Sequence, residues 1–156
     1  MTAKILVIDD DDHLRELVCS RLRRQGYVVH TAENGRVGLR IFEAERPDLV
    51  ITDILMPDME GIETILRLKA GATPPKIIAM SGGGHIVGRD FLKWASHLGA
   101  DQVLAKPFRV STLIAMAGDL LRDIDARRGR LLGWDPELQP MRDMGQDLDR
   151  LFHTHG

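Results

Sequence analysis

Residues 5–10 read Ile5-Leu6-Val7-Ile8-Asp9-Asp10, and residues 49–53 read Leu49-Val50-Ile51-Thr52-Asp53. Each is a short apolar run that stops at aspartate. Two further runs behave the same way: Lys76-Ile77-Ile78-Ala79-Met80 stops at Ser81, and Val103-Leu104-Ala105 stops at Lys106-Pro107. Runs of this length, rich in Ile and Val, suit strands covered on both faces of a parallel sheet. If all four lie in one sheet, three carboxylates, a hydroxyl and an ammonium gather at its carboxyl edge. That edge, near the switch in strand order, is where open α/β sheets bind their ligands.

Outward from these runs, helical and strand patterns alternate from Lys4 to about Arg127. Asp11 or Asp12 can cap a helix with Leu14, Leu17, Val18 and Leu22 on its inward face, and Gly26 stops it. Tyr27–Thr31 reads as strand two. Asn34 can cap a second helix carrying Val37, Ile41 and Phe42 inward, and Pro47 closes it. A third helix after Met56-Pro57 places Ile62, Ile65 and Leu66 on one face, and Pro74-Pro75 breaks it. After Gly82-Gly83-Gly84, a helix from about Gly88 to His97 turns Phe91, Leu92 and Ala95 inward and ends at Gly99. The last helix spans about Val110 to Asp125, with Val110, Leu113, Ile114, Ala117, Leu120, Leu121 and Ile124 as a broad apolar stripe. Five strand–helix units predict a parallel sheet with helices on both faces and right-handed crossovers.

At 156 residues the chain has room for one ordinary domain, and an apolar fraction of 44% supports a real core. Residues 128–156 form a tail too short for a second domain; Leu148, Leu151 and Phe152 suit at most one short helix. Lys+Arg 21 against Asp+Glu 23 gives a net charge of -2, so no basic footprint for nucleic acid exists. The single cysteine, Cys19, rules out an internal disulfide and reads as a buried apolar residue. With no signal peptide and no membrane-spanning run, the expected setting is cytoplasmic, without membrane contact.

Three carboxylates brought close together repel, so one must protonate or a cation must sit among them. Oxygen ligands without His or Cys select a hard divalent ion, Mg²⁺ above all, which keeps open positions for a phosphate. Lys106 supplies a point charge and Ser81 a hydroxyl donor, both suited to a phosphoryl oxygen. A carboxylate can itself accept a phosphoryl group, with catalysis reduced to positioning and charge neutralisation.

With these motifs on the page, the chain closely resembles the receiver domain of bacterial two-component response regulators. The matching text is Ile5 to Asp10, Ile51 to Pro57 with Gly61 following, Ser81, and Lys106-Pro107-Phe108. The resemblance covers about Lys4 to Arg127, giving a domain of 1–127. It implies a doubly wound, flavodoxin-like (βα)5 fold of strand order 2-1-3-4-5. It also implies that Asp53 is the phosphoacceptor, that Asp9, Asp10, Asp53 and the Leu55 backbone carbonyl hold Mg²⁺, and that Lys106 pairs with the phosphoryl group. Ser81 would sense the phosphoryl group by moving toward it, and the Lys106-Pro107 bond would be cis. The donor would be a sensor histidine kinase or a histidine phosphotransfer protein. The output would be contact with a partner protein, through the last helices, strand five and the tail, with no direct nucleic-acid binding and no substrate turnover.

Where the family often has Phe or Tyr, three residues before the lysine, this chain has Val103, too short for an inward aromatic swing. The Gly82–Gly84 loop is therefore expected to carry the conformational readout. Leu55 and Gly83 offer no group to orient a hydrolytic water, which predicts a long-lived phosphoryl group. Two rivals stand beside this reading. A phosphohydrolase of the haloacid-dehalogenase type would use Asp9-x-Asp11, but needs Thr or Val where His13 stands. A phosphorylation-independent binding module would have no use for the complete acid, hydroxyl and lysine set.

Other conspicuous residues read more plainly. Asp11 and Asp12 suit helix caps, and Asp58 and Glu60 suit a solvated loop. The triple glycine lacks the Gly-Lys-Ser/Thr ending of a phosphate loop. His153 and His155 lack a third metal ligand, and His13, His30, His85 and His97 have no catalytic company. Arg127, Arg128 and Arg130 read as a solvated helix end, and Trp94 and Trp134 as packing residues or partner anchors.

Overall fold

The computed structural model describes residues 2–56, 61–82, 93 and 95–132. The elements in order are β1 (Lys4–Ile8), α1 (Asp12–Arg24), β2 (Val28–Ala32), α2 (Gly35–Glu45), β3 (Leu49–Asp53), α3 (Gly61–Lys69), β4 (Lys76–Ser81), β5 (Gln102–Ala105) and α4 (Val110–Leu131). The expected helix from about Gly88 lies mostly outside the described residues, although Lys93 and Ala95–His97 are helical. Gly83 and Gly84 of the loop expected to carry the readout, Trp94, Trp134 and the tail from Gly133 onward also fall outside them. The chain clusters into two units, Met1–Leu121 and Arg122–Gly156. The sheet and the acidic edge belong to the first.

The five strands form one parallel sheet of order β2-β1-β3-β4-β5, the expected doubly wound topology. β1, β3 and β4 are the inner strands and are almost wholly buried, which is why their text is continuous apolar residues rather than an alternation. β5 is an edge strand with exposed ends. Leu6, Ile8, Val50, Ile54, Ile65 and Ile77 anchor the core cluster on one side of the sheet. Each buried aliphatic side chain of this size contributes about 1.5–3 kcal/mol over its exposed state.

Local chemistry sets the helix ends. Asp11 caps α1 by accepting the Leu14 N–H at 3.1 Å, and Asn34 caps α2 by accepting the Val37 N–H at 2.9 Å. Gly26 takes φ +92 just after α1, where a side chain would be strained. α2 ends with Arg46 in the left-handed region, immediately before Pro47.

Two apolar faces differ from expectation. Leu17 on α1 and Leu66 on α3 are 48% and 47% exposed. At about 100° per residue, the buried stripe of α1 runs through Val18, Cys19 and Leu22, which turns Leu17 out. On α3 the stripe runs through Gly61, Thr64, Ile65 and Leu68, which does the same to Leu66. β2 starts one residue later than predicted, and α4 extends to Leu131 rather than Asp125.

Candidate functional site

Sheet register brings the site together. Ile8 pairs with Ala32 on one side and with Thr52 on the other, so Asp9 leaves β1 beside the end of β3, where Asp53 stands. Asp53 pairs with Met80, and Ser81 pairs with Ala105, the residue before Lys106. Backbone bonds continue each pairing past the strand end: Asp9 N–H to the Ala32 carbonyl at 3.1 Å, Ile54 N–H to Met80 at 2.9 Å, Lys106 N–H to Ser81 at 2.7 Å. Four loops therefore leave the sheet at one level.

Asp9 is fully buried and Asp53 nearly so, whereas Asp10 is exposed. The Lys106 ammonium bridges the two buried acids, 3.0 Å from Asp9 Oδ2 and 3.0 Å from Asp53 Oδ2. The second Asp53 oxygen accepts the Leu55 N–H at 3.2 Å, and the second Asp9 oxygen accepts the Asp11 N–H at 3.0 Å. Burial pushes the Asp9 carboxyl above the usual carboxylate range, partly offset by the Asp11 amide and by Lys106. Burial works to lower the Lys106 ammonium, but its bonds to Asp53 and Asp9 outweigh that and hold it above the ordinary lysine range. The Ser81 hydroxyl is buried and has no hydrogen-bond partner among the described residues. The Lys106-Pro107 peptide is cis.

Ligand oxygens of Asp9, Asp10 and Asp53 lie within 4.8 Å of one another. An ion with ligand bonds of about 2.1 Å spans about 4.2 Å between opposite ligands, close to that spacing. An all-carboxylate donor set with no nitrogen or sulfur fits Mg²⁺.

Two glycines make close approaches at the site. A Cβ on Gly61 would lie 2.0 Å from the Asp53 carbonyl oxygen, while the Gly61 N–H donates to the Ile54 carbonyl at 2.7 Å. α3 therefore starts pressed against the backbone that carries Asp53. A Cβ on Gly82 would lie 2.9 Å from Cδ of Lys106, so the lysine stem reaches its two acids across the space glycine leaves open.

Sequence reasoning missed Arg15. Its guanidinium donates to the Asp9 carbonyl at 2.6 Å and to Asp12 Oδ1 at 2.5 Å, and the side chain is only 17% exposed. It clips the β1–α1 turn that presents Asp9 and Asp10. An arginine three residues after an acid in a helix's first turn is too common to have marked it; only the fold shows its second bond, to the strand end.

The chain is similar to several known proteins. A family model described as response regulator receiver domain matches residues 5–118. Sporulation initiation phosphotransferase F of Bacillus subtilis is 35% identical over 113 residues, which cover 72% of this chain and 89% of that protein. Response regulator MprA of Mycolicibacterium vanbaalenii is 33% identical over 126 residues, covering 78% of this chain and 52% of that longer protein. The chain thus spans about half the length of MprA. Among solved structures, a CheY-like response regulator receiver domain protein from Methanospirillum hungatei superposes with a TM-score of 0.73 at 27% identity, over 81% of this chain and 99% of that one.

Proposed function

The chain belongs to the response regulator receiver family, and we propose that it takes a phosphoryl group from a phosphohistidine onto Asp53 and signals by binding a partner protein. One observation carries this reading. Asp9, Asp53 and Lys106 meet within hydrogen-bond distance at one sheet edge, beside an exposed Asp10 and a buried, unpartnered Ser81 hydroxyl.

An Asp53 carboxylate oxygen attacks phosphorus, the new O–P bond forms as the P–N bond to the donor imidazole breaks, and the imidazole leaves on the donor protein. Lys106 follows the charge: it already bonds Asp53 Oδ2 and need only shift to an oxygen of the arriving group. Ser81 supplies a donor with no competing bond to break. Asp9, Asp10 and Asp53, with the Leu55 carbonyl, would hold Mg²⁺, which when bound neutralises charge on the phosphoryl oxygens. The work takes place in the cytoplasm, where such donors act. Among the described residues, no helix is long and apolar enough to cross a membrane.

Incubation with acetyl phosphate and Mg²⁺, followed by peptide mass spectrometry, tests the reading. A phosphoryl adduct on Asp53, absent from Asp53→Ala, is the expected result. Label on Asp9 with repeated turnover would indicate a hydrolase, and no label a silent binding module. Leu55, apolar and half-buried, offers nothing to orient a water toward Asp53. The adduct should therefore outlast seconds when its decay is followed in isolation.

A further inference from the structure

Away from the acidic edge, α2 and α3 flank an open groove of about 340 Å³ lined by Arg36, Leu39, Arg40, Glu43 and Arg67. We propose that this groove is a docking surface for an acidic segment of a partner protein, with its carboxylates on Arg36 and Arg40 and an apolar side chain on Leu39. Nothing in the phosphoryl chemistry at Asp53 is required for this.

The charges of α2 are the first reason. Arg36, Leu39, Arg40 and Glu43 stand at i, i+3, i+4 and i+7, one stripe of a single helix face. Arg36 and Arg40 have no hydrogen bond or ion pair among the described residues. Two like charges at i and i+4 destabilise an isolated helix. Moreover, α2 has no acid in its first turn, where Arg36 stands, and no base in its last turn, which is the reverse of what its dipole favours. Terminal-turn charges set against the helix dipole, in a chain of net charge -2, suit recognition of something outside the helix.

The groove's mixed lining identifies the occupant. A carboxylate-bearing peptide fits two guanidinium groups one helical turn apart that have no partner among the described residues, since carboxylates accept from arginine in two-pronged pairs. Leu39 is half-buried and offers an apolar contact between them. Arg67, already engaged with Glu63 at 3.0 Å, closes the far wall. A nucleic acid fits less well: Glu43 would repel its evenly spaced phosphates, and among the described residues the lining holds no aromatic ring on which a base could stack.

The experiment titrates the full chain with a synthetic peptide holding a leucine between glutamates at i and i+4, read by backbone amide NMR shifts. A lysine-for-glutamate peptide and a thymidine oligonucleotide serve as comparisons. Arg36→Glu/Arg40→Glu is the variant; both positions are exposed, one like-charge pair at i and i+4 replaces another, and a glutamate in the first turn favours α2, so folding is retained. Acetyl phosphate should label Asp53 in it as in the parent. The expected result is shifts confined to residues 36–43 and 67, weakening with salt, with at least about tenfold lower affinity in the variant and a gain for the lysine peptide. Absence of acidic-peptide binding at millimolar concentration, or binding that survives the double reversal, overturns the proposal. Oligonucleotide binding in preference to the peptide, or concentration-dependent self-association abolished by the variant, assigns the groove to nucleic acid or to a second copy and overturns it equally.

Discussion

Lys106 carries the charge balance of the buried edge. Its ammonium holds two carboxylates that would otherwise face each other without a counter-ion. Lys106→Met leaves both acids unpaired, and loss of one partner from a buried ionic group costs about 3 kcal/mol. Urea denaturation without metal should show a loss of that order, partly recovered on adding Mg²⁺. Cys19 makes a quieter case. Burial raises its thiol above the ordinary 9.0, against the opposing pull of Arg23 and Arg15. A raised folded-state value means the contribution to stability is fully present below 9.0 and is lost as the pH climbs through the higher value. The urea midpoint of the parent should therefore fall relative to Cys19→Ala between about pH 8 and 11. An unchanged difference across that range would refute the linkage. Both residues were legible in the sequence, Cys19 as a core position and Lys106 as the ammonium of the site. That one ammonium serves two acids was not, because the sharing depends on β1, β3 and β5 ending at one level.

Strand ends, turns and helix starts act as units that aim these side chains. β3 delivers Asp53, and α3 begins against that residue's carbonyl with no room for a Cβ at Gly61. Gly61→Ala must displace either the start of α3 or the Asp53 backbone. Overpacking of this kind costs about 1–3 kcal/mol, and contact with backbone rather than a mobile side chain points to the upper end. Thermal unfolding should register the loss, and acetyl phosphate should label Asp53 more slowly. At this scale element existence and caps were legible in the sequence: Asp11, one of two candidates, caps α1, and Asn34 caps α2 as expected. Rotation about the helix axis was harder. Leu17 and Leu66 each sit beside a core residue in the chain, yet face outward because the buried stripe is set by where the sheet lies.

Across the whole molecule, metal binding and folding should be linked. Ligand that binds only the folded state stabilises by mass action, about 2.7 kcal/mol at a hundred times its dissociation constant. The melting temperature should rise with Mg²⁺ in the parent and stay flat in Asp10→Asn. Because Asp10 is exposed and adds a like charge beside Asp9 and Asp53, that variant should be no less stable than the parent without metal. A melting temperature of Asp10→Asn that climbs with Mg²⁺ as the parent's does would remove Asp10 from the ligand set. The alternation of apolar runs with helical stripes determined the parallel α/β class, and the residues closing each run determined which chemical groups would meet, since both follow from local periodicity and side-chain chemistry. The clip of Arg15 on the Asp9 carbonyl, the bridge from Lys106 to two acids, the path its stem takes over Gly82 and the basic groove between α2 and α3 belong to the tertiary structure alone. Each is a distance between residues remote in the chain or a choice of helix rotation, and such distances exist only once the sheet has fixed which strands are neighbours and in what register.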